Sequence, residues 1–150
     1  MRVLVDTSVW SFALRRDDNR LNPEREELRR LVSAHVAEII GPIRQEILSG
    51  VRDPAQFARL ETHLAAFPDL PLLTEDYVTA ANFFNLCRSK GIQGSNTDFL
   101  ICAVAVRRDL VIFTTDRDFR HFAKLLPIVL HEVKKPTPSR QRRSAPRPES

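Results

Sequence analysis

Asp6, Glu46, Asp98 and Asp116 lie far apart along the chain, yet each sits where an α/β fold exposes its chemistry. Asp6 closes the apolar run Val3-Leu4-Val5 and is followed at once by Thr7 and Ser8. Asp116 ends a second run, Leu110-Val111-Ile112-Phe113-Thr114-Thr115. Asp98 opens the most apolar helix-like segment, and Glu46 lies inside a short amphipathic one. Open α/β sheets bind ligands beyond the carboxyl ends of their strands. Two strand-end acids and two helical ones are therefore candidates for one cluster. Two unit charges about 4 Å apart repel by roughly 4 kcal/mol at an effective dielectric of 20. Such a cluster keeps protons or takes up a hard divalent cation, and oxygen-only ligands suit Mg²⁺ or Mn²⁺. With phosphate oxygens as further ligands, that is the equipment for hydrolysing a phosphodiester. Thr7, Ser8 and Thr114 add hydroxyls able to orient the carboxylates or their waters.

Each acid also has a structural reading. Asp6 suits a helix cap, although Thr7 or Ser8 would serve equally. Asp98, taken alone, reads first as a cap or a partner of the helix dipole. Asp116 and Asp118 are both acceptable turn residues. Glu46 is harder to explain this way, because a helical wheel puts it about 60° from Ile43, at the edge of the apolar face. The joint pattern carries more weight than any member.

Other chemistries fit less well. His35, His63, His121 and His131 show no zinc-type spacing. The chain has only four glycines and no phosphate-cradling loop or nucleophile elbow. An aspartyl phosphotransferase would want an acid at position 8, which is Ser8. Cys87 and Cys102 lack metal or redox spacing and read as buried, reduced thiols. Trp10 reads as a core or interface residue.

The elements that must position the acids follow from periodicity and punctuation. We expect a strand over 2–6, a helix over 8–14 and a charged loop to 22. Pro23 should open a helix rich in early glutamates and running on through His35. A short strand over 38–40 precedes Gly41-Pro42 and the helix that carries Glu46. Pro54 opens another helix, 70–73 is a strand candidate, and a helix over 75–90 is closed by Gly91. A loop from 92 to 97 should deliver Asp98 to a helix over 98–108 covered on both faces. A strand over 110–114, a short helix over 117–125 and a final strand over 128–132 complete the body. This alternation argues for a parallel sheet flanked by helices.

Composition sets the outer limits. At 150 residues and 43% hydrophobic content, the chain reads as one domain with a true core. The longest apolar stretch, Phe99–Val106, is eight residues, well short of the roughly 20 that span a bilayer. The N-terminus shows no signal-peptide core, so a cytoplasmic protein is expected. The net charge of +4 is unevenly placed. Residues 134–150 hold six basic residues against Glu149, a net of +5, which leaves 17 basic and 18 acidic residues and a net of −1 in the body. With four prolines as well, this segment reads as a disordered basic tail: either a non-specific phosphate binder or a dispensable extension.

Four motifs in register resemble the PIN domain, and more narrowly the VapC-type toxins of toxin–antitoxin pairs. They are Val5-Asp6-Thr7-Ser8-Val9-Trp10, Ile43-x-x-Glu46-Ile47-Leu48-x-Gly50, Thr97-Asp98-Phe99-Leu100-Ile101-Cys102-Ala103 and Thr114-x-Asp116-x-Asp118-Phe119. The resemblance covers about residues 2–133, so a nuclease domain is expected over 1–133 with the tail left out, and it departs mildly at Cys102, where the family commonly has a small residue such as Ala. It implies a three-layer α/β/α sandwich with a central, mainly parallel sheet. It further implies a Mg²⁺/Mn²⁺-dependent endoribonuclease with Asp6, Glu46, Asp98 and Asp116 as catalytic, metal-coordinating residues. Ser8 and Thr114 would support the site, with Thr7 a neighbouring hydroxyl as read above, and Asp118 would act indirectly or structurally. An RNA substrate, a cognate antitoxin and a homodimer are implied as partners. The rival readings are a PIN-fold binding module without significant catalysis and a nuclease directed at DNA.

Overall fold

The computed structural model describes residues 1–14 and 22–134. The charged segment 15–21 and almost all of the basic tail lie outside the described residues. The elements run β1 (Val3–Val5), α1 (Thr7–Leu14), α2 (Pro23–Ser33), β2 (Ala37–Glu38), α3 (Gly41–Leu48), α4 (Pro54–Leu64), α5 (Thr74–Ser89), α6 (Asn96–Arg107), β3 (Val111–Phe113) and α7 (Asp118–Phe122).

The sheet is parallel in the order β2-β1-β3, with Val3 opposite Ala37 and Val111, and Val5 opposite Phe113. All three residues of β1 are fully buried. A strand apolar on both faces is the mark of a parallel sheet covered by helices on each side, which gives the α/β/α sandwich. Helix α1 packs on α2 and α3, α3 on α4, and α5 lies along α6, which packs against β3. Helix α6 is buried without interruption from Phe99 to Ala105, as its apolar run predicts.

Two expected strands shrink to single bridges. Asp69 pairs only with Ile39, and Leu130 only with Ile112. Leu70 donates its amide to the Ile39 carbonyl, but Pro71 follows and has no N–H to continue the ladder. At the other edge Ile112 takes both available bonds, donating to the Val129 carbonyl and accepting from the His131 amide.

Helix ends also differ from the pattern reading. Helix α2 stops at Ser33, and His35 adopts a left-handed conformation at φ 59° rather than a fourth helical turn. Asn22 starts that helix by accepting hydrogen bonds from the amides of Glu24 and Arg25. Helix α6 starts at Asn96, two residues early, because Ser95 rather than Asp98 is its cap. Trp10 is buried, donating to the Val5 carbonyl and meeting the edge of Phe67.

Candidate active site

Asp98 lies within electrostatic reach of Asp6, Asp116 and Glu46, and Asp6 and Asp116 follow the carboxyl ends of β1 and β3. Asp6 is the residue after β1 and is buried at 5% exposure. Its Oδ2 accepts from the Thr114 hydroxyl at 2.8 Å and from the Ser8 hydroxyl at 3.0 Å, while its Oδ1 accepts from the Thr7 amide at 2.8 Å. The two hydroxyls are both committed to Asp6 and lie 3.4 Å apart. Each then accepts in turn: Thr114 Oγ1 from the Asp116 amide at 3.0 Å, and Ser8 Oγ from the Thr115 amide at 3.1 Å. Two short side chains thus tie the ends of β1 and β3 into one platform.

The remaining acids are held individually. The Thr7 hydroxyl donates to Glu46 Oε2 at 2.7 Å, which draws that exposed carboxylate from α3 toward the platform. Asp98 is half-buried in the first turn of α6, where its Oδ2 accepts from the Ser95 amide and its own amide donates to the Ser95 hydroxyl. This reciprocal capping box fixes the carboxylate without supplying a positive charge. Asp116 Oδ1 accepts from the amide of Asp118 at 2.9 Å, a turn closed by its own side chain. Asp118 therefore acts through its backbone amide, while its side chain is exposed at the start of α7. The loop before α6 is pressed against aromatic rings: a Cβ on Gly94 would come within 2.6 Å of Phe122 and 3.0 Å of Phe99.

Electrostatics records the crowding. Burial pushes the Asp6 carboxyl above the ordinary range, against the pull of its three hydrogen bonds, and the charge of Asp98 pushes it further. Burial raises Asp98 too, and the charges of Asp116 and Glu46 add to it. Among the described residues none of the four acids has an ion-pair partner. The Cys102 thiol behind them is buried and free, pushed far up by burial and by Asp98.

The donor set fits a hard divalent cation, being carboxylate and hydroxyl oxygen with no imidazole or available thiolate. Among the described residues no three acidic, histidine or cysteine side chains close into a ready-made cage. Mg²⁺ rarely needs one, since it dehydrates reluctantly and is held by one or two carboxylates, waters and substrate phosphates.

With this geometry in view, the comparison with known proteins is decisive for the family. The family model described as PIN domain matches residues 3–125. The chain belongs to the PIN domain family. As a PIN domain it carries Asp6, Glu46, Asp98 and Asp116 within one electrostatic neighbourhood, together with the platform hydroxyls. Its fold is similar to FitAcB from Neisseria gonorrhoeae, at 19% identity and a TM-score of 0.68, over 86% of this chain and 96% of that one. DNA-bound VapBC from Salmonella typhimurium gives 19% identity and a TM-score of 0.68, over 88% of this chain and 97% of that one. VapBC-1 from nontypeable Haemophilus influenzae gives 16% identity and a TM-score of 0.67, over 88% and 98%. No curated protein matches the chain.

Sequence reasoning passed over Arg117 and Arg120, which flank the site from the segment after Asp116. Both are exposed and line a pocket shared with Thr114 and Asp116. Their signal was an arginine on each side of Asp118, hidden by its likeness to an ordinary charged helix start.

Proposed function

We propose that this PIN domain is a Mg²⁺- or Mn²⁺-dependent endoribonuclease and the toxin of a type II toxin–antitoxin pair. The observation that carries the reading is a group of four acids with no cationic partner among the described residues, at the mouth of a parallel sheet in a PIN fold. Asp6, Glu46, Asp98 and Asp116 would hold the cation. When bound, it lowers the pKa of the attacking water and offsets charge developing on the phosphoryl oxygens.

The chain's own part is orientation. Thr114 and Ser8 fix both the rotamer of Asp6 and the backbone that presents Asp116. Thr7 steers Glu46, and Ser95 holds Asp98. Raised carboxyl pKa values at Asp6 and Asp98 mean that these groups hold their protons to higher pH than ordinary carboxyls, and a bound divalent cation would compete with those protons. No histidine pair lies among the residues that hold these acids, so attack by water rather than by the ribose 2′-hydroxyl is the consistent route. The products are then a 5′-phosphate and a 3′-hydroxyl.

The likeness to FitAcB and VapBC assemblies supports an antitoxin as the protein partner, and a homodimer is part of the same reading. Its place of action is the cytoplasm; among the described residues no helix is long and apolar enough to cross a membrane. The test is digestion of matched RNA and DNA oligonucleotides with and without EDTA, followed by end-group analysis. EDTA-sensitive RNA cleavage leaving 5′-phosphates is expected, including at a site with a 2′-deoxy sugar. A cyclic phosphate product would overturn the water route, and preferential DNA cleavage would overturn the substrate.

A further inference from the structure

Beside Asp116, past the end of β3, opens a pocket of about 240 Å³ that the acid cluster does not account for. Its walls come from three parts of the chain: Arg117 and Arg120 around the start of α7, Glu24 in the first turn of α2, and Glu132 beyond the Leu130 bridge. Phe113 and Leu130 give it an apolar side. It is smaller than a drug-sized site, with room for one planar heterocycle.

The charges on its walls constrain the ligand. Among the described residues Arg117, Arg120, Glu24 and Glu132 have no ion-pair partner, so donors and acceptors are both left unspent. Asp116 belongs to the acid cluster, so two carboxylates face two guanidiniums on the walls, with His131 beside them, a balance that gives a bare phosphate little net attraction. A neutral ligand with acceptors on one edge and donors on another satisfies both sets. Guanine is the base with that arrangement. Its O6 and N7 accept the two-pronged donation of an arginine, and its N1–H and N2–H groups donate together to a carboxylate. Unstacked RNA bases are commonly read on these edges and stacked on guanidinium planes.

We propose that this pocket holds a guanine base next to the phosphodiester that is cut, with Arg117 and Arg120 as its specificity-determining donors and Glu24 or Glu132 as the acceptor. The proposal rests on the nuclease reading for its link to cleavage, whereas recognition of the base stands apart from it.

The test uses fluorescent RNA hexamers differing in one central base, bound to full-length Asp98→Asn protein in Mg²⁺ and followed by anisotropy. In parallel, cut sites of wild-type protein are mapped on a randomised RNA pool. The guanine hexamer should bind about tenfold or more tightly than the other three. That preference should vanish in Arg117→Ala/Arg120→Ala, whose exposed side chains leave the fold intact, and weaken in Glu132→Gln or Glu24→Gln. Equal binding of all four hexamers, or a preference that survives the double arginine variant, overturns the pocket assignment even if RNA is cut. Guanine-selective binding without any cleavage by wild type overturns the nuclease reading and leaves the pocket standing.

Discussion

Two buried aspartates in this chain make opposite use of burial. Asp76, in the first turn of α5, is fully buried and gripped by Arg107 at 2.6 Å and Arg108 at 2.9 Å from the end of α6. Burial alone would raise its carboxyl, but the Leu73 amide and the two guanidiniums outweigh it and hold the group below the ordinary range. Asp6 is almost as buried, yet it receives only hydroxyls and an amide, and its carboxyl is pushed up. The first acid has its counter-charge built into the fold and serves as a clasp between α5 and α6. The second is left short of positive charge at an open sheet end, a deficit that the divalent cation of the proposed function would make up.

The comparison breaks most visibly at the clasp. Asp76→Ala leaves two arginines facing a buried gap and should cost about 3–5 kcal/mol, read as a lowered denaturation midpoint. Activity per folded molecule should stay unchanged. A nearly neutral effect would mean that the clasp is ornamental.

At the other pole, Asp98→Asn should abolish cleavage, on the order of 100-fold or more. The metal-free protein should be as stable as wild type or more so, because like-charge repulsion is relieved while the amide oxygen still accepts from Ser95. Marked destabilisation would assign Asp98 to capping alone. Next in size, Thr114→Val should lower cleavage by about 10–100-fold through misplacing Asp6 and Asp116, with Thr114→Ser restoring most of it. No rescue by serine would remove the hydroxyl from the account.

The division between paired and unpaired acids was only partly legible in the sequence. Asp6 and Asp116 were readable because strand-end acids stand out against apolar runs, and the parallel alternation placed both ends on one side. Asp98 was ambiguous for a physical reason that the structure makes concrete: it is a capping-box residue and a member of the cluster at once. Asp76 was invisible, since its partners lie 31 and 32 residues away and only the antiparallel seam of α5 on α6 joins them. The outer strands were read too long, because short apolar runs look the same whether they pair along their length or, as here, at a single residue. The short platform hydroxyls were legible as residue types, though not as bridges between β1 and β3.

A smaller effect sharpens the same contrast by pH. Glu27 accepts from Arg30 and meets His131, and these contacts hold its carboxyl at about 2 against an ordinary 4.5. A depressed carboxyl contributes stability that is present above its unfolded pKa and lost as pH falls through its folded pKa. Glu27 and Asp76 should therefore both weaken the fold in acid, Glu27 between about pH 4.5 and 2. Glu27→Gln should flatten that limb of the stability curve and stay within about 1 kcal/mol of wild type at neutral pH. An unchanged acid limb would detach the Glu27–His131 contact from stability.

The central claim is that the unpaired acids hold a divalent cation for RNA hydrolysis. Calorimetric titration of Mn²⁺ or Mg²⁺ into wild type and into Asp6→Asn/Asp98→Asn, with RNA cleavage assayed on the same samples, tests it most directly. Saturable binding and cleavage in wild type, both absent from the double variant, is the predicted result. Cleavage that persists in the variant would contradict it and return the four acids to the roles of caps and turns.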